Sequence, residues 1–150
     1  MTDLRITELE PAPFAYVSRT CAAREVGRVV SETFAALSTA FATAGASPIG
    51  APLAHASPAA DDLVHVELGF PVEEHVTGPL HIAGLSISET PGGMVMRAVH
   101  GGDYATLRKT YDEVIAAIRA QGLKPSADMW ERYGGEGEAI EVEVIWPVAG

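Results

Sequence analysis

Residues 34–45 read FAALSTAFATAG, and residues 111–122, 77 positions later, read YDEVIAAIRAQG. Aligned, they set Phe34 against Tyr111, Leu37 against Val114, Phe41 against Ile118 and Gly45 against Gly122. Apolar residues at three- and four-residue steps make one stripe along a helix, so each segment predicts a helix with a single buried face. The first covers residues 25–44: Val26, Val29, Val30, Phe34, Leu37, Phe41 and Ala44 form its stripe, and Gly45 stops it. The second covers 103–122, with Asp103 as N-cap, a stripe of Tyr104, Leu107, Tyr111, Val114, Ile115 and Ile118, and Pro125 just beyond Gly122.

A second match lies beside the first. HVELGFPV at 65–72 stands 76 positions before EVEVIWPV at 141–148 and shares Val66/Val142, Glu67/Glu143, Pro71/Pro147 and Val72/Val148. Both alternate with period two, Val64, Val66, Leu68 and Phe70 in one and Ile140, Val142, Val144 and Trp146 in the other, as half-buried strands do. Glu67 and Glu143 then read as solvated strand residues. Weaker strand patterns cover 4–9, 14–20, 53–56, 81–88, 94–100 and 128–133, separated by turns at Pro11 and Pro13, Ser57-Pro58, Pro91-Gly92-Gly93 and Gly134-Gly135. The expectation is an α+β fold in one domain over 1–150, a duplicated ββαββ unit with pseudo-repeats of about 1–77 and 78–150. Neither half buries its helix alone, so a mostly antiparallel sheet with two helices packed on it follows. The junction of the halves is the expected cleft.

Acids outnumber bases 20 to 10, for a formal net charge of −10, and the bases are scattered. Nucleic-acid phosphates are repelled by such a surface. The opening MTDLRITELE has no signal-peptide pattern, and no run of eighteen apolar residues occurs, so a cytoplasmic location without membrane contact is expected. Cys21 is the only cysteine and sits in an Ala-rich stretch, which removes an internal disulfide and a thiolate metal site. His55, His65, His75, His81 and His100 are dispersed without ligand-like spacing, so neither metal nor cofactor is expected. The serine-hydrolase elbow, the zinc-protease helix and the phosphate-binding loops are all missing.

The run DMWERY at 128–133 is the chemically informative one. As a strand it puts Met129, Glu131 and Tyr133 on one face and Trp130 and Arg132 on the other. A carboxylate in an aromatic-lined apolar cleft is costly to keep ionised without a partner, and a cationic ligand supplies one. The bland alternative is a solvated strand glutamate in a surface ion-pair network with Arg132. Tyr104 and Tyr111 lie on the helix stripe, where core packing competes with ligand contact. His100, before a Gly-Gly turn, reads as structural. Under the 77-residue offset, Leu53, Ala54 and Ala56 stand where Trp130, Glu131 and Tyr133 stand in the second half, so the cleft should be one-sided.

VHGGDY at 99–104, then Leu107, Tyr111, Ile118 and Gly122, then Trp130-Glu131-Arg132-Tyr133, then VIWPV at 144–148, together with GFPV at 69–72, resemble the GyrI-like family of AraC effector-binding domains. The resemblance spans essentially the whole chain. It implies binding of small organic ligands, often hydrophobic cations, in a central cleft, with Glu131 matching the pocket glutamate of the multidrug-sensing members. The expected ligand contacts are Glu131, Trp130, Tyr133, Tyr104, Trp146, Phe70 and Tyr16. Relatives are often fused to a DNA-binding module, but here the pattern begins near Leu4, which suggests a stand-alone member. Some similar stand-alone proteins are hydrolases of cyclopropane-bearing toxins, which would give Glu131, with Tyr133, an acid or base role. A third implication is docking to a protein partner such as a topoisomerase.

Overall fold

The computed structural model describes residues 4–101, 106–134 and 141–149. In chain order the elements are β1 (Leu4–Leu9), β2 (Pro13–Ala22), α1 (Val26–Ala44), β3 (Leu53–Pro58), β4 (Leu63–Pro71), α2 (Thr77–Ile82), β5 (Ser86–Glu89), β6 (Gly93–Gly101), α3 (Leu107–Ala120), β7 (Lys124–Pro125), β8 (Met129–Gly134) and β9 (Glu141–Ala149). Single 3-10 turns, Ala23–Glu25 and Glu74–Val76, lead into α1 and α2. The N-cap expected at Asp103 lies outside the described residues.

The strands form one antiparallel sheet in the order β1-β6-β9-β8-β3-β4-β2-β5, with β7 paired to β9. The order reads the same from both ends once the halves are exchanged. Each half lends its first strand to the other: β1 pairs with β6, and β5 pairs with β2. The halves therefore interlock, and their seam is the β3–β8 ladder. In that ladder Ala54 pairs with Glu131. Since these two are also repeat counterparts, the pseudo-two-fold axis passes between them.

The three helices of the described residues contact the sheet from one face. Leu37 and Phe41 of α1 pack on Ala15, Val66 and Leu68, while Val114 and Ile118 of α3 pack on Met96, Ala98, Val142 and Val144. The same register ends both helices: Gly45 and Gly122 adopt left-handed φ values of 67° and 75°, and the next amides, Ala46 and Leu123, reach back to the carbonyls of Phe41 and Ile118. A β-carbon at either glycine would be strained, which is why the repeat keeps glycine there.

The other face is bare of helices among the described residues, yet it carries a third cluster of Phe14, Leu53, Val95, Trp130 and Ile145. Phe14 and Val95 are fully buried. Phe14 of β2 meets Trp130 of β8 at 5.1 Å although β3 and β4 lie between their strands, so the sheet curls over its own centre.

The strand expected over 81–88 is corrected. Only Ser86–Glu89 is extended, and Thr77–Ile82 is helical. Pro79 presets helical φ in the first turn, and Leu80 is drawn fully into the first-half core together with Leu85. No helix among the described residues is long and apolar enough to cross a membrane.

Candidate functional site: a cavity floored by one carboxylate

A cavity of about 950 Å³ opens beside the β3–β8 seam on the helical face. Its walls come from both halves. The first two turns of α1 give Val26, Gly27 and Val30, and α3 gives Leu107, Arg108 and Tyr111. The sheet gives Ala54, Ala56, Val64 and Val66 on one side and Met129, Glu131, Tyr133 and Trp146 on the other. The sheet residues from the first half are small aliphatics, so the aromatic wall among the described residues belongs to the second half.

Glu131 is 5% exposed. The period of two along β8 that makes Met129 and Tyr133 its face-mates turns its carboxylate toward the helices. The Tyr133 hydroxyl donates to Oε1 at 2.7 Å, and the Tyr111 hydroxyl, from α3, donates to Oε2. Among the described residues no Lys, Arg or His forms an ion pair with Glu131. Burial pushes its carboxyl above the usual range, against the lowering influence of the Tyr133 hydroxyl and of nearby His100. His100 is itself occupied by Thr110 at 2.7 Å and Thr106 at 3.2 Å. Two phenols thus orient the carboxyl without neutralising it.

Aromatic packing fixes those phenols. Tyr111 meets Trp146 edge-to-face at 6.2 Å, and Tyr133 meets Phe34 at 6.0 Å. The Trp146 indole N–H donates to the Ser126 carbonyl at 2.8 Å, which locks its ring against the cavity.

The residues expected at the site part company here. Glu131, Tyr133 and Trp146 line the cavity. Tyr104 lies outside the described residues. Trp130 points to the opposite face of the sheet, as the alternation along β8 dictates, and stacks on His55 at 4.2 Å with an interplanar angle of 6°. Tyr16 is on that face too, stacked on Phe14 at 5.3 Å. Phe70 is the repeat counterpart of Trp146, but Phe34 and Phe41 of α1 close over it at 5.6 and 5.1 Å, so it is core. Tyr111, assigned by its helix stripe chiefly to the core, lines the cavity. The available signal was the repeat itself, which sets its hydroxyl against the plain ring of Phe34, and a buried phenol needs an acceptor.

Glu67 and Glu143 are likewise corrected from solvated to half-buried, paired residues. Glu67 accepts from Nδ1 of His55 at 2.9 Å, while Nε2 of His55 faces Asp128. Both oxygens of Glu143 lie 2.9 Å from Nη2 of Arg97, and Arg132 also binds it. Arg132 is therefore engaged with Glu143, which leaves Glu131 without it. Among the described residues no three His, Cys, Asp or Glu side chains converge to hold a metal ion.

An interlocked α+β sheet with an apolar cavity at its pseudo-two-fold seam defines a small-molecule-binding domain. The chain belongs to the GyrI-like small molecule binding domain family, whose model matches residues 2–149. No curated protein sequence matches it. Solved structures similar to it include SAV2435 bound to tetraphenylphosphonium, with 14% identity and a TM-score of 0.64 over 99% of this chain and 94% of that one. The EcmrR C-terminal domain gives 11% and 0.72, covering 99% and 98%. A hydrolase from Listeria innocua gives 16% and 0.63, covering 97% and 91%. At these identities the likeness is one of fold.

Proposed function

We propose that this domain binds hydrophobic organic cations in its cavity, with Glu131 as counter-charge and Trp146, Tyr111 and Tyr133 as the aromatic wall. The carrying observation is a carboxylate that is 5% exposed, faces apolar walls and forms no ion pair with a Lys, Arg or His among the described residues. Keeping such a group ionised without an ion-pair partner is costly, so a cation that enters gains from relieving it. Ring faces add about 0.5–2 kcal/mol of cation–π attraction. The phosphonium bound by SAV2435 has this chemistry. A net charge of −10 also argues against duplex DNA as a partner.

Thermal melting tests the reading with tetraphenylphosphonium and the neutral triphenylphosphine oxide. The phosphonium is expected to raise the melting point, by the equivalent of about 2.7 kcal/mol at a hundred times its Kd, and the oxide far less. Equal responses, or none, would remove the electrostatic basis of the proposal. The tryptophans provide a second readout. The ligand-induced change in intrinsic fluorescence should survive Trp130→Phe and disappear in Trp146→Phe, because only Trp146 lines the cavity; the reverse pattern would place the ligand on the other face.

A second reading uses the same carboxyl as a general acid or base for hydrolysis of a strained electrophile such as a cyclopropane. It is favoured by the raised Glu131 carboxyl held between two phenols. Turnover lost in Glu131→Gln with substrate affinity retained would support it, and absence of any product from wild type would dismiss it.

A further inference from the structure

Besides Glu131, the charged residues that line the cavity among the described residues are Arg24, Arg108 and Asp62. Arg24 lies in the 3-10 turn before α1, Arg108 is the second residue of α3, and Asp62 sits in the turn between β3 and β4. All three are exposed, so they mark the mouth, while Glu131 marks the floor. Arg28 is tied to Glu25 and Glu32, and Arg97 and Arg132 to Glu143. Arg24 and Arg108, like Arg5, Arg19 and Arg119, have no ion pair among the described residues, but of these five only Arg24 and Arg108 line the cavity. Two guanidiniums, one from the 3-10 turn before α1 and one from α3, thus face one opening, with Asp62 the one carboxylate beside them among the described residues.

The depth of the site follows from β3. Ala54 pairs with Glu131 at the floor, and Pro58 lines the mouth. Four residues of extended strand separate these levels by about 13 Å. A ligand that carries only a cation leaves the mouth's positive charge unanswered and has to pass it. One with an anionic group on the order of 10 Å from its cationic centre satisfies both ends, and a guanidinium fork suits a carboxylate or sulfonate in particular.

We propose that the preferred ligands of this cavity are zwitterions, with an aromatic-flanked cation seated over Glu131 and an anionic group held by Arg24 and Arg108 at the mouth. The inference rests on the cation-binding reading and adds the second recognition element.

Matched probes test it: (5-carboxypentyl)triphenylphosphonium, a zwitterion at neutral pH, and its methyl ester, a cation of nearly the same shape. Titration calorimetry is run on wild type, on the Arg24→Gln/Arg108→Gln double variant and on Glu131→Gln, with melting curves to confirm folding. Wild type is expected to bind the acid at least tenfold more tightly than the ester. The double variant should lose that preference through weaker binding of the acid, with the ester bound as well as before or better. Glu131→Gln should weaken both. If wild type binds the ester as tightly as the acid, or if the preference survives in the double variant, the role of the arginines is overturned while cation binding stands. If neither probe binds, or Glu131→Gln leaves both unchanged, the cation-binding reading falls and this inference with it.

Discussion

Replacing Glu131 by Gln is expected to weaken tetraphenylphosphonium binding by about ten- to a hundredfold, roughly 1–3 kcal/mol, and to leave triphenylphosphine oxide within about twofold. Gln keeps the size and a carbonyl for Tyr133, and its amide N–H can donate to the Tyr111 hydroxyl in place of accepting from it, so the change removes the charge with packing preserved. It also has a pH signature. Burial raises the Glu131 carboxyl in the folded state, so folding favours the protonated form. That contribution is fully present below the unfolded carboxyl pKa of about 4.3 and is lost as pH rises through the raised folded value. Melting points of wild type and Glu131→Gln should therefore converge near pH 4 and separate toward pH 7, with the Gln variant the more stable. Cation affinity of wild type should climb over the same interval, because the ligand needs the carboxylate and displaces its proton. A pH-independent gap between the two melting curves would show that Glu131 does not change protonation on folding.

The second large effect concerns the curl of the sheet. Gly69 lies in β4 between Tyr16 of β2 and Leu53 of β3. A β-carbon there would fall 2.0 Å from the Ala15 carbonyl oxygen and 2.8 Å from the Tyr16 Cα, both backbone atoms that cannot swing aside. Gly69→Ala must push β2 away from β4 and disturb Phe14, which β2 holds in the third cluster. A cost of about 3 kcal/mol or more is expected, a melting point lower by about 10 °C or a failure to fold. Gly27→Ala is the control. It has open space around its β-carbon within a helix and should gain about 0.5–1 kcal/mol. Similar melting points for the two variants would mean that β2 does not press on Gly69.

Much of this architecture is legible from local pattern. The stripes of α1 and α3, the alternation of β4 and β9, and the 77-residue offset come from periods of 3.6 and 2 that any short window contains, and they carry the duplicated α+β fold. The same alternation turns Glu131 and Tyr133 one way and Trp130 the other. Aromatic character alone puts Trp130 at the ligand, but its facing places it against His55, since a strand cannot twist one side chain through its own sheet. The α2 helix was hidden because residues 77–82 are too few to show a helical period.

Local pattern fixes what each segment is, including its buried face, its stops at Gly45 and Gly122, and the pairing of an acid with a phenol on one side of β8. Tertiary structure alone decides which faces meet. The exchange of β1 and β5 between halves, the meeting of Ala54 and Glu131 on the axis, the reach of Tyr111 to that carboxylate, and the closing of Phe70 where Trp146 stays open all depend on contacts between residues far apart in the chain. Such contacts are selected by the packing of whole surfaces, and packing is a property of the assembled volume that no window of sequence contains.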